Sequence, residues 1–194
     1  NEYQNQIIDS VESEVRLRMA GQPAGHGVDH VLRVVRIARE IQTQVGGDAF
    51  VVALAAWLHD VGDAKFHQGV ERSAHISREI LAILKVPDVV VDHVAHIVDN
   101  ISCRKEAQTT ELSVEGKIVQ DADRLDALGA IGIVRTIEYG AAIGQPFCIE
   151  NNCGNLPTGV GHFYNKLFKL RALLNTEPAR RIAEQRESFM RKFL

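Results

Sequence analysis

Apolar residues recur along this chain at intervals of three and four, the period of a helix with one buried face, and no stretch alternates every second residue as a half-buried strand would. The pattern predicts an all-α fold. A polar helix opens the chain over Glu2 to Met19 and stops at the breaker-rich AGQPAGHG, Ala20 to Gly27. A second helix starts near Val28, carries Val31, Val34, Ile37, Ala38 and Ile41 on one stripe, and ends at Gly46-Gly47. Asp48 is placed to N-cap a third, AFVVALAAWL, which is apolar around its whole circumference and so belongs in the middle of a helical bundle. Further helices are predicted from about Glu71 to Leu84, from Pro87 to about Ile101, and through EGKIVQDADRLDALGAIGIVRTIEYG, with a break near Gly129 and Gly132. Cys103 to Leu112 reads as a polar loop, and Gly140 to Gly161, with seven Gly or Pro and three Asn, as a long one. Two closing helices are expected over about His162 to Leu174 and Glu177 to Phe193.

The polar residues that break this pattern carry the chemistry. His59-Asp60 stands at the end of the most apolar run in the chain, just before Gly62 interrupts the helix, where polar side chains can face a cavity. His30 shares the face of the Val31, Val34 and Ile37 stripe, which directs its imidazole inward. In IVQDADRLDA, Val119, Asp123, Ala127 and Ala130 fall on one helical line, which predicts Asp123 as the buried carboxylate, Asp121 roughly 200° away, and Asp126 as the reserve candidate. A buried ionised aspartate requires a cation or strong donors, because desolvating it alone costs several kcal/mol. Two imidazoles and two carboxylates directed inward from three helices form a ligand set for a divalent metal: Mn²⁺ first, with Fe²⁺, Ni²⁺, Zn²⁺ or Mg²⁺ as alternatives. Such an ion lowers the pKa of bound water toward neutrality, so the implied reaction is hydrolysis.

Composition narrows this picture. At 194 residues and 45% apolar content, one globular domain spanning 1–194 is the simplest expectation. A net charge of −3 carries no nucleic-acid signature, so no nucleic acid duplex is expected as partner and any phosphate must be held by a few local cations. The longest apolar stretch, Ala49 to Leu58, is half of what a bilayer requires, and Asn1 to Glu14 is too polar for a signal peptide, so no membrane association is expected and the cytoplasm is the default location. Three cysteines, Cys103, Cys148 and Cys153, without CxxC spacing argue against a disulfide framework and a structural zinc site, and are read as free thiols.

HVLRV (His30 to Val34), LHDVGD (Leu58 to Asp63) and DADRLDALGAIG (Asp121 to Gly132), in that order, resemble the H…HD…D pattern of the HD-domain metal-dependent phosphohydrolases. The resemblance is greatest to small stand-alone bacterial members and covers most of the chain, with core motifs over 26–130 and C-terminal helices over 160–194. It implies a single-domain helical bundle of the HD type, with His30, His59, Asp60 and Asp123 as metal ligands, the four that the helical reading also selects. It also implies a small phosphorylated substrate of nucleotide type, since some such members act as phosphatases or as pyrophosphohydrolases on nucleoside triphosphates. One departure is Gly27 in His26-Gly27-Val28-Asp29-His30, where close relatives often carry Asp after the first His.

Several members of that family carry an acidic residue three positions after the HD aspartate, used in proton transfer, and Asp63 matches it. Arg33 and Lys65 are the first choices for neutralising phosphate charge, ahead of Lys117, Arg124 and Lys166. His93 and His96, three apart on one helix, are at a spacing that can present a second metal site. His26 is a further candidate at the site, and Phe147 and Tyr164 could wall the pocket or stack on a base, though packing is the commoner role of such residues. The competing functional readings are a nucleotide-sensing module with little turnover and a di-iron HD oxygenase. A homo-oligomer is left open.

Overall fold

The computed structural model describes residues 1–21, 27–63, 69–101, 111–149 and 157–194. Among them no strand occurs, and the all-α expectation holds. No described helix is long and apolar enough to cross a membrane. The chain divides into two compact units, Asn1–Ala122 and Asp123–Leu194.

The first unit holds α1 (Glu2–Arg18), α2 (Val28–Val45), α3 (Ala49–Leu58), α4 (Ser73–Ile83), α5 (Asp88–Asn100) and most of α6 (Val114–Asp126). Its centre is α3, packed against α1, α2 and α5, with Leu54, Ala55, Ala56 and Leu58 fully inaccessible. That placement follows from a helix with no polar face to turn toward water. Asp48 caps it as expected, its Oδ1 accepting the amide protons of Phe50 at 2.8 Å and Val51 at 3.3 Å.

Glu115, in the first turn of α6, ties that helix to the start of α3: its Oε1 accepts the Asp48 amide proton at 2.9 Å. Burial pushes this carboxyl up, but the Asp48 amide, its own amide, the Ser113 hydroxyl and the charge of His93 together outweigh it and hold the pKa below 4.5. A carboxyl depressed by folding stabilises the protein above its unfolded value and loses that contribution as pH falls through the folded one. Replacing Glu115 with Gln is therefore expected to cost about 1 kcal/mol at pH 7. In urea titrations the gap between the two proteins should close as pH drops below 4.5; a gap independent of pH would show that the charge contributes nothing.

The second unit holds the end of α6, α7 (Ala130–Ala142), α8 (Gly159–Asn165), a 3₁₀ helix (Leu167–Leu173) and α9 (Glu177–Phe193). The expected break between α6 and α7 falls at Gly129, whose φ of +81° is open to glycine and strained for other residues. The single helix expected from His162 to Leu174 is instead two pieces. Leu167 and Leu170 bury at three-residue spacing, which suits the tighter 3₁₀ winding, and its terminal carbonyls are taken by arginines: Leu173 by Arg124, and Leu174 by Arg180 at 2.8 Å. α7 also runs on through Gly140 into the stretch read as loop.

A cluster of aromatic rings surrounds one buried phenylalanine in this unit. Phe163, fully buried, meets Phe147 at 6.2 Å and Phe168 at 5.9 Å between ring centroids, and Phe147 also meets Phe193 at 6.2 Å. Phe147 is thus a packing residue, and Tyr164 lies edge-on to Phe168 at 5.3 Å. Cys148 departs from the free-thiol reading, being disulfide-bonded, while Cys103 and Cys153 lie outside the described residues. The odd cysteine number and the lack of CxxC spacing argue for free thiols throughout, but whether two thiols pair depends on which of them the fold brings together.

Candidate metal centre

His30 reaches the site from the first turn of α2 and His59 from the C-cap of α3, 2% and 6% exposed. Asp60 follows on the turn that leaves α3, its side chain 21% exposed. The two imidazoles are 29 residues apart in sequence, yet their Nε2 atoms lie 3.2 Å from one another. Asp60 Oδ2 is 3.5 Å from Nε2 of His30 and 3.7 Å from Nε2 of His59. The rings meet edge to face, at 66°.

The tautomer of His59 follows from its other nitrogen. Nδ1 is 2.8 Å from the carbonyl oxygen of Ala56, one turn back on α3, and a carbonyl can only accept, so Nδ1 carries the proton. In the neutral ring the lone pair is then on Nε2, directed at His30 and Asp60. Two imidazole nitrogens and a carboxylate oxygen converging in a buried space require a positive centre between them, either a proton or a cation. A ligating histidine whose second N–H is fixed by a backbone carbonyl is the usual arrangement in metal sites. These three side chains form the one group of such ligands among the described residues, and its nitrogen and carboxylate donors suit the borderline divalent ions.

The other candidates are distributed as follows. Asp63 closes a turn with Asp60, its amide donating to the Asp60 carbonyl at 3.2 Å. Arg33, on α2 three residues past His30, is half-buried. Lys65 and His26 lie outside the described residues. The expectation that Asp123 is the buried carboxylate of α6 is corrected: Asp121 and Asp126 are 0% and 1% exposed, whereas Asp123 is partly exposed. The buried face of that helix centres on Ile118, Ala122 and Leu125 rather than on the line through Ala127 and Ala130, so Asp121 and Asp126 flank it. Asp126 forms an ion pair with Arg135 at 2.8 Å. Asp123 begins the second unit, and its assignment as a ligand rests on the sequence pattern.

His93 and His96 do not converge. His93 Nε2 lies 2.9 Å from the Ser113 hydroxyl and 3.6 Å from Glu115, whereas His96 lines a separate cavity of about 360 Å³ between α4 and α5, with Glu71, His75, Arg78, Asp99 and Asn100. Sequence reasoning did not find Ser73, whose hydroxyl accepts from the Gly62 amide in the turn that follows Asp60; a serine at the start of a helix carries no signal beyond capping.

The HD domain family model matches residues 27–128. The protein YpgQ of Bacillus subtilis is 35% identical over 188 residues, covering 96% of this chain and 89% of its own. The crystal structure of YpgQ in complex with ADP superposes with a TM-score of 0.82 at 31% identity, over 98% of this chain and 93% of that one. An HD-superfamily hydrolase from Bacillus thuringiensis gives 0.83 at 36% identity, over 98% and 94%. With the family model matching more than half its length and a 35% identical relative covering 96% of it, the chain belongs to the HD domain family.

Proposed function

We propose that the protein is a divalent-metal-dependent phosphohydrolase that cleaves a phosphate ester or phosphoanhydride of a nucleotide, with Mn²⁺ as the working ion. The observation that carries this reading is the convergence of His30 Nε2, His59 Nε2 and Asp60 Oδ2 within 3.7 Å. Asp123 is the fourth ligand on the H…HD…D pattern. When bound, the ion supplies Lewis acidity toward a phosphoryl oxygen and lowers the pKa of water. His59, its Nδ1 locked by the Ala56 carbonyl, aims its Nε2 lone pair toward His30 Nε2, and Asp60 contributes the negative charge that favours a dication there.

Asp63 accepts the proton of the attacking water; the turn that joins it to Asp60 keeps it one turn from the ligand. Arg33 and Lys65 neutralise the charge that develops on the phosphoryl oxygens. The ADP complex of YpgQ supports a nucleotide as the class of substrate.

A panel of nucleotides offered to Mn²⁺-loaded protein, with phosphate and diphosphate measured separately, tests the reading. Diphosphate from triphosphates makes it a pyrophosphohydrolase and phosphate alone a phosphatase. No turnover by protein that binds one Mn²⁺ per chain would overturn it in favour of a nucleotide sensor, and two ions per chain with oxygen consumption in favour of an oxygenase.

A further inference from the structure

Four consecutive residues, Asp60, Val61, Gly62 and Asp63, form the turn that carries both the HD aspartate and the acid three positions later. Its ends are joined by the Asp63 amide donating to the Asp60 carbonyl at 3.2 Å. Gly62 sits between them, and both of its backbone groups are held from α4: its N–H donates to the Ser73 hydroxyl at 3.1 Å, and its carbonyl accepts from the Arg72 amide at 2.9 Å. The approach is so close that a Cβ on Gly62 would lie 2.7 Å from the Ser73 nitrogen and 2.9 Å from Ile76 Cδ1.

Ser73 is itself buried, 1% exposed, and is the first residue of α4. A serine at a helix start ordinarily uses its oxygen to cap its own helix. Here Glu71 accepts the Ser73 amide proton at 2.9 Å, while the Ser73 oxygen accepts from a residue eleven positions upstream. The Ser73 carbonyl is held in turn by the Ser77 hydroxyl at 2.7 Å, and Ser77 is fully buried. A buried hydroxyl directed at a backbone amide eleven residues away fixes the position of that amide more than it stabilises its own helix.

We infer that Ser73 is a positioning residue for the proposed hydrolytic site: by holding the Gly62 amide it sets the placement of Asp60 and Asp63 relative to one another. This rests on the phosphohydrolase reading for its catalytic consequence, but the clamp itself is independent of turnover. Groups that orient ligands from outside the coordination sphere typically change metal affinity or activity by about 10–100-fold when removed.

The test compares wild type with Ser73→Ala and Ser73→Thr by three measurements: amide hydrogen exchange at Gly62 and Asp63 in the metal-free protein, Mn²⁺ affinity by calorimetry, and kcat and KM on the best nucleotide. Ser73→Ala is expected to keep its helical circular dichroism, lose exchange protection at Gly62, bind Mn²⁺ roughly tenfold more weakly, and lose kcat more than it raises KM. Ser73→Thr, which retains the hydroxyl, should restore all three. Gly62 protection and Mn²⁺ affinity within twofold of wild type in Ser73→Ala would overturn the inference. If wild type binds Mn²⁺ yet turns over no nucleotide, the hydrolase reading fails, and exchange and affinity still decide the clamp.

Discussion

Asp60→Ala should abolish Mn²⁺ binding at micromolar metal and reduce nucleotide hydrolysis by about a thousandfold or more, corresponding to loss of several kcal/mol of electrostatic stabilisation in the transition state. Of the three converging side chains, Asp60 is the one with a formal negative charge, and its Oδ2 faces both Nε2 atoms. Without it, two neutral imidazoles offer a dication no charge compensation from this cluster, and affinity falls steeply. Asp60→Asn separates charge from shape: it should resemble the alanine variant in metal stoichiometry while matching wild type in thermal stability without metal. Metal content per chain by mass spectrometry, measured beside turnover, checks both. An Asp60→Ala protein with turnover within tenfold of wild type would place the chemistry elsewhere.

The largest expected loss of stability is at Phe163. Phe163→Ala removes a fully buried ring that stands between Phe147 and Phe168, and should cost about 3–5 kcal/mol, of which about 1 kcal/mol comes from the aromatic pairings rather than from burial alone. Phe147 has a second ring partner in Phe193, so the cavity would be lined on one side by side chains that cannot all collapse inward. Tyr164 is the internal control: with 51% of its surface exposed, Tyr164→Ala should cost about 1 kcal/mol or less. Urea unfolding followed at 222 nm, with the slope compared among the three proteins, measures this directly. A Phe163→Ala loss under about 1 kcal/mol would mean that the ring cluster contributes little to holding the unit together.

Much of the helical layout is legible without coordinates. Asp48, the apolar run and the breakers around Gly62 suffice to place α3 over Ala49–Leu58, and the stripe of Val31, Val34, Ile37 and Ile41 turns α2, with His30, inward. Helical period and capping are local properties, encoded within a few residues of where they act. The assignment weakened where burial runs more than halfway around a helix. On α6, a narrow apolar line selected Asp123, but the actual face is broad enough to enclose Asp121 and Asp126. Likewise His93 and His96 share a helix and a favourable spacing, yet Ser113 and Glu115 hold one of them, and the other lines the α4–α5 cavity.

By itself, the sequence determined that the chain is helical, that α3 is its most buried segment, and that a histidine and an aspartate stand at the end of that segment. These depend on the order of side chains along one element. Only the tertiary structure decided that His30 and His59 present their Nε2 atoms to each other 3.2 Å apart, that the Ala56 carbonyl fixes which nitrogen of His59 carries the proton, and that Ser73 holds the turn between Asp60 and Asp63. Those contacts join residues from different helices, and their geometry depends on how α2, α3 and α4 pack, which no local pattern encodes.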